Sequence, residues 1–329
     1  MKLTVLPIQG AFLRLLTESS ATLRPHRQVS LIQRFIILLP LFVLIVTLWG
    51  SVTSLCLQIS YVYFRTHRYS IPLIRQLSHQ IPYISEHLRG FFSILWLTIY
   101  REKIRQLLQA ADEFVSRGTA PCDIKPTFQR WKLRSVLLTV LICAMHIGVT
   151  WVDWLYDLYV WDTSLLGEDF MEPLPIKMTT LQYFIQWSLW VEVPFMISQM
   201  LHSAAIILAW ILGGALNGLI VKIETSTCAV QSTTLTLSEY LKQMKLWRKS
   251  HVDILLFCES LKYCFGGLFF TVFSCDFLAV AGYVARLLNE PSETASALFV
   301  SRLIGNAVVF ASFQTVFVIP LVLVNEQVI

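Results

Sequence analysis

Residues 181–221 read LQYFIQWSLWVEVPFMISQMLHSAAIILAWILGGALNGLIV, an apolar run interrupted by one acid, Glu192, and one imidazole, His202. A helix needs about 20 largely apolar residues to cross the hydrocarbon of a bilayer. This run is twice that length. It sets the class: a polytopic membrane protein built from helices.

Five further apolar blocks accompany it, at about Leu31–Phe64, Ile81–Tyr100, Ser135–Val160, Leu261–Leu288 and Ala297–Val324. The composition agrees, with 55% apolar and 14% charged residues and a mean hydropathy of +0.62. Soluble domains carry roughly a quarter charged residues. The expected fold is therefore all-α: a polytopic membrane helix bundle with six visible spans, residues 31–329, behind a cytoplasmic N-terminal segment, residues 1–30. Arg14, Arg24, Pro25, His26 and Arg27 in that segment do not form a cleavable signal peptide. The block from Leu31 reads as the first anchor.

Basic residues orient the spans, because cytoplasmic loops carry an excess of Lys and Arg. They gather in the N-terminal segment (Lys2, Arg14, Arg24, Arg27, Arg34), after the second span (Arg101 to Arg134) and after the fourth (Lys222 to Lys249). The segment between spans three and four is acidic instead, with Asp157, Asp162, Glu168, Asp169 and Glu172. Only Arg65, Arg68 and Arg75 run against the pattern. The N terminus is thus expected in the cytoplasm.

The two basic connections, near 101–134 and 222–260, read as helical extensions of the spans. In Arg101–Phe114, Ile104, Leu107, Leu108 and Ala111 fall on one helical face. From Ser238 to Cys258 there is no Pro or Gly, so the helix runs on into the fifth span; Ser238 suits its start although Leu241 does not complete a capping box. Such extensions can pack together beneath the membrane.

No nucleotide-binding Gly-rich loop, HExxH or GxSxG is present, so an enzyme has no support, and neither a cofactor nor a nucleic-acid partner is expected. The seven cysteines lack zinc spacing, and no metal site is expected. Gly213–Gly214 and Gly266–Gly267 read as points of close helix approach. Ionisable residues at membrane depth are costly and hence functional candidates. Here they are His146, Glu192, His202 and Asp276, and each has the plainer reading of a group hydrogen-bonded inside the bundle. Aromatics collect at the outer ends of spans three and four, where Trp151 and Trp154 share one face and Trp187 and Trp190 another. They fit an interfacial belt. They also fit the wall of a small-molecule pocket to which Glu192 adds a polar group.

Several of these features together resemble the arthropod gustatory receptor family, within the seven-helix chemoreceptor superfamily that also holds insect odorant receptors. The N terminus is placed inside. The fourth span exits as WILGGALNGLIVKIE, residues 210–224, similar to the family's L-N-x-L stretch. A helix enters the fifth span as LWRKSHVDILLFCESLKYCFGGLFF, residues 246–270, with His251, Leu255 and Phe265 placed like the family's H…L…F run. The sixth block closes as VIPLVLVNEQV, with Val324 and Glu326 matching a V-x-x-E exit. The family's Thr-Tyr…Gln-Phe signature of a seventh span is absent.

The resemblance implies a taste chemoreceptor subunit in the plasma membrane, of a ligand-gated cation channel family. Its expected partners are a small-molecule tastant, membrane lipid and further receptor subunits in a homo- or hetero-tetramer. It implies an inter-subunit anchor around His251, Leu255 and Phe265, and a ligand pocket at Trp151, Trp154, Trp187, Trp190 and Glu192. It also implies that the chain is truncated before the pore-lining seventh span and carries no current alone. Three alternatives stand beside it: an odorant receptor of the same superfamily, a membrane transporter, and a non-conducting membrane scaffold.

Overall fold

The computed structural model describes residues 6–8, 42 and 63 with most of 45–60, 73–118, 124–160, 190, 192–231, 236–289, and 300–312 except 302. Among the described residues every regular element is a helix. Four are long: α1 (Leu73–Gly118), α2 (Ile124–Val160), α3 (Val193–Gln231) and α4 (Leu237–Asn289). A shorter α5 spans Leu303–Ser312.

α1 has 46 residues and α4 has 53. At 1.5 Å rise per residue they reach about 70 and 80 Å, against a hydrocarbon layer of about 30 Å. Each joins an expected span to an expected extension without a break. The extension of α1 is amphipathic as its spacing dictates: Ile104 and Ala111 are fully buried, and Leu107 and Leu108 nearly so. The cap of α4 lies two residues ahead of the Ser238 expected at its start. Thr236 is its cap, and the Glu239 carboxylate accepts hydrogen bonds from the Thr236 amide at 3.0 Å and hydroxyl at 2.6 Å. This is a T-x-x-E capping box, which satisfies donors that a helix start leaves orphaned.

α3 is the central helix. Every residue from Leu201 to Ala209 is buried, the polar His202 and Ser203 included. α1 and α4, antiparallel to each other, both pack on it, and the most extensive interface lies between these two. α2 lays Leu138 and Ile142 into the same core. α5 closes a second core with Leu303 and Phe310 against Phe195, Ala279 and Tyr283.

Glycines set the closest approaches. A Cβ at Gly267 would fall on the Trp96 ring, and one at Gly282 would lie 2.7 Å from Pro82 Cδ. Gly267 therefore serves the close packing expected of it, whereas a Cβ at Gly266 would meet only its own helix neighbour Lys262. Pro82 lies inside α1, where it removes one helical hydrogen bond.

Among the described residues, Val193–Val230 and Leu237–Leu288 are long and apolar enough to cross a membrane. α1 falls short because Glu86, His87 and Arg89 interrupt its apolar stretch. The apolar part of α2 runs into 149–160, whose side chains lie outside the described residues.

Candidate functional site

The chemistry of this chain is concentrated where α1, α3 and α4 meet. α1 carries Arg89 next to Gly90, and the lack of a side chain at Gly90 lets α1 approach the start of α3. A Cβ there would stand 2.6 Å from Pro194 Cβ. Arg89 is 1% exposed and is among the largest fully buried side chains. A lone cation in such a place would cost several kcal/mol. It is compensated on every side.

The Arg89 Nη1 donates to Asp276 Oδ1 on α4 at 2.5 Å. Its Nε donates to Ser198 Oγ on α3 at 3.1 Å. Its Nη2 lies 3.0 Å from His202 Nδ1, one turn further along α3. A guanidinium has donors only, so Nδ1 must accept, and this bond assigns His202 as the neutral tautomer protonated on Nε2. The Phe195 ring sits beneath the guanidinium, 4.5 Å from Cζ, in cation–π contact. The His202 ring lies nearly parallel to Phe269, 6.4 Å between centroids.

A second polar bridge lies one turn away on α1, where Glu86 Oε1 accepts from the Tyr283 hydroxyl at 3.3 Å. Two further polar groups are sealed in the same helices. Among the described residues the Ser93 hydroxyl and the Gln199 amide nitrogen have no hydrogen-bond partner, and both residues are at most 2% exposed. Buried polar groups are nearly always paired, and these two are exceptions. The Arg89–Asp276 pair at its centre is charge-balanced and buried. It suits recognition or coupling between helices. Among the described residues no cluster of three or more His, Cys, Asp or Glu is placed to hold a metal.

The residues marked from sequence are only partly gathered here. His202 and Asp276 both belong to the cluster, joined through Arg89. Trp190 and Glu192 lie just ahead of it, in a wider π turn that leads into α3, and both are half-buried. The Trp190 ring packs where a Cβ on Gly50 would sit. Glu192 stands three residues before Phe195, one turn from the guanidinium. Trp151 and Trp154 lie on the last turns of α2, with side chains outside the described residues, as is that of His146. Trp187 lies outside the described residues altogether.

Of the implied anchor residues, His251 and Leu255 are exposed on α4. Phe265 is 0% exposed. Its side chain is held within its own chain, beside Phe269 at 6.0 Å, and is not free for a neighbouring subunit.

Arg89 and Ser198 are not among the residues that the sequence singles out. The signal was a single cation in one apolar helix and a single anion, Asp276, in another. Glu86, one turn before Arg89, offers a nearer acid in the sequence, so the pairing with Asp276 does not follow from these charges alone. No protein-family model and no curated protein sequence matches this chain.

Proposed function

We propose that the chain is a subunit of a chemosensory receptor of the gustatory type that its motifs resemble. In this reading it is a multi-pass plasma-membrane bundle with six spans and a cytoplasmic N terminus. It belongs to a ligand-gated cation channel family and answers a small extracellular molecule. One observation carries the reading. α1 and α4 outrun any bilayer, and their overhanging parts stay packed on each other, with Phe114 and Phe257 stacked at 5.0 Å. Paired helices continuing beneath the membrane are what such a receptor needs to join ligand binding outside to subunit contacts inside.

Trp190 and Glu192 supply the mouth of the pocket in this proposal, and the Arg89 cluster its polar floor. An aromatic wall with a few fixed polar groups suits a small organic guest. The test is co-expression with pore-forming receptor subunits in cells without chemoreceptors of their own, challenged with sugars, bitter compounds and volatiles. A ligand-evoked cation current is expected, with Trp190→Ala or Glu192→Gln weakening its sensitivity about tenfold, the loss of roughly one good contact. Responses identical in both variants would remove the pocket. An N-terminal reporter stained on intact cells would remove the family reading as well.

The Arg89–Asp276 pair favours a second reading, a transporter, since ionisable side chains within spans often line a transport path. Vesicles would then accumulate a substrate, without channel current, and lose that uptake in Asp276→Asn.

A further inference from the structure

The outer surfaces of α1 and α4 change character at one common level. From Gly90 to Tyr100 α1 carries no charge, and then Arg101, Glu102, Lys103 and Arg105 follow at once. From Tyr263 to Ala285 the sole charged residue of α4 is Asp276, which is buried against Arg89. On the other side of Tyr263 come Lys262, Glu259, Asp253, Lys249, Arg248, Lys245 and Lys242. The helices are antiparallel, and the two boundaries coincide because Lys103 touches Tyr263. On the uncharged side Ile99 is 64% exposed and Phe270 75%, as expected of side chains facing hydrocarbon. The level of Lys103 and Tyr263 is therefore that of the lipid headgroups.

A built cluster stands there. The Trp96 indole N–H donates to the Cys264 carbonyl at 2.7 Å. Tyr100 stacks on Trp96 at 4.5 Å, and Tyr263 meets Tyr100 edge-on at 5.8 Å. Lys103 Nζ donates to the Tyr263 hydroxyl at 2.5 Å and lies 3.8 Å from the ring centroid. A lysine on an open surface loses rotamer freedom when it binds an anion; this one is already held. Its ammonium has three donors, one of which is used, so two remain for a ligand. The adjacent acid does not neutralise it, because Arg105 and Gln106 both donate to Glu102. Lys262, exposed and next to Tyr263, adds a second cation at the same level.

We infer that Lys103, Lys262 and Tyr263 form a binding site for the phosphate of an anionic phospholipid, in the leaflet toward which the basic ends of α1 and α4 project. Lysines at a headgroup layer attract anionic lipid, and the tyrosine fixes where that attraction acts. The site rests on the membrane reading above and gives that reading a lipid specificity.

The experiment reconstitutes the whole chain in nanodiscs of mixed phosphatidylcholine and phosphatidylserine, and counts retained lipid by native mass spectrometry. Preferential retention of phosphatidylserine is expected. Lys103→Gln should cut that preference about fivefold, the weight of one lysine near a charged surface. Tyr263→Phe, which removes the hydroxyl and keeps the ring, should cut it less. Lys245→Gln, on the exposed extension, should leave it unchanged. Equal retention of both lipids overturns the site, as does an equal fall in Lys103→Gln and Lys245→Gln. Displacement of the serine lipid by inorganic phosphate would make this a free-anion site and overturn the lipid assignment. A chain that stays in solution and never enters the discs removes the membrane reading too, whereas insertion without preference removes only the lipid site.

Discussion

The Arg89 guanidinium and the Asp276 carboxylate, 187 residues apart in the chain, meet at 2.5 Å with side chains only 2% and 1% exposed. Removing one partner from a buried ion pair leaves the other charge uncompensated and costs about 3–5 kcal/mol, while replacing both with apolar residues of similar size is often neutral. Asp276→Ala is thus expected to lower the unfolding midpoint in detergent sharply. The double variant Arg89→Met with Asp276→Leu should recover most of that loss. A wild-type midpoint in Asp276→Ala would show that the pair does not hold the three helices together.

The contact between Trp96 and Gly267 makes a different kind of prediction, since it is steric. A Cβ at position 267 would fall on the indole ring. Gly267→Ala should therefore destabilise by about 1–3 kcal/mol, the usual cost of overpacking. Trp96→Phe alone should cost about 1 kcal/mol through the lost hydrogen bond to the Cys264 carbonyl. Combined, the smaller ring relieves the clash, so the double variant should be more stable than the sum of the singles predicts. Strict additivity in chemical denaturation would mean that the two helices do not approach at this point.

These two contacts also divide what was legible in the sequence from what was not. The buried face of 101–114 follows from local spacing, and Ile104, Leu107, Leu108 and Ala111 are all buried. The same rule would have placed Phe265 inside, because Leu261, Leu268 and Val272 share its helical face and are buried with it. A motif resemblance had given it an outward task instead. Thr236 and Glu239 were readable as a capping box two residues before the chosen helix start. The union of Arg89 with Ser198, His202 and Asp276 was not readable from any window, because it depends on how three helices cross. Asp276, the one acid between Leu261 and Leu288, hints at a buried partner, but Glu86 lies nearer to Arg89 in the sequence, and nothing local points to the serine.

The cap of α4 carries a pH signature. Hydrogen bonds from the Thr236 hydroxyl and amide hold the Glu239 carboxyl below the 4.5 of an ordinary glutamate. A carboxylate whose pKa is depressed in the folded state stabilises that state above its unfolded pKa, and this contribution fades as the pH falls through the folded value. Amide protection factors at Glu239 and Tyr240, corrected for intrinsic exchange, should decline as the pH drops below 4.5. In Glu239→Gln the profile should be flat over the same range. A wild-type profile as flat as the variant's would dismiss the cap.

Phe114 and Phe257 test whether the charged ends of α1 and α4 act as one body. Their rings lie 5.0 Å apart and within 8° of parallel, and Phe257 is 5% exposed. Truncating a buried phenylalanine costs about 3–5 kcal/mol, so Phe257→Ala should loosen both extensions, read as faster amide exchange across 104–115 as well as 250–260. Phe114→Ala should cost less, because that ring is only half-buried. A stacked pair adds about 0.5–1.5 kcal/mol beyond its buried area, which a double-mutant cycle isolates. Exchange that quickens on α4 alone, with no coupling in the cycle, would mean that the extensions move independently, and the proposed link from the membrane to the subunit contacts would lose its physical path.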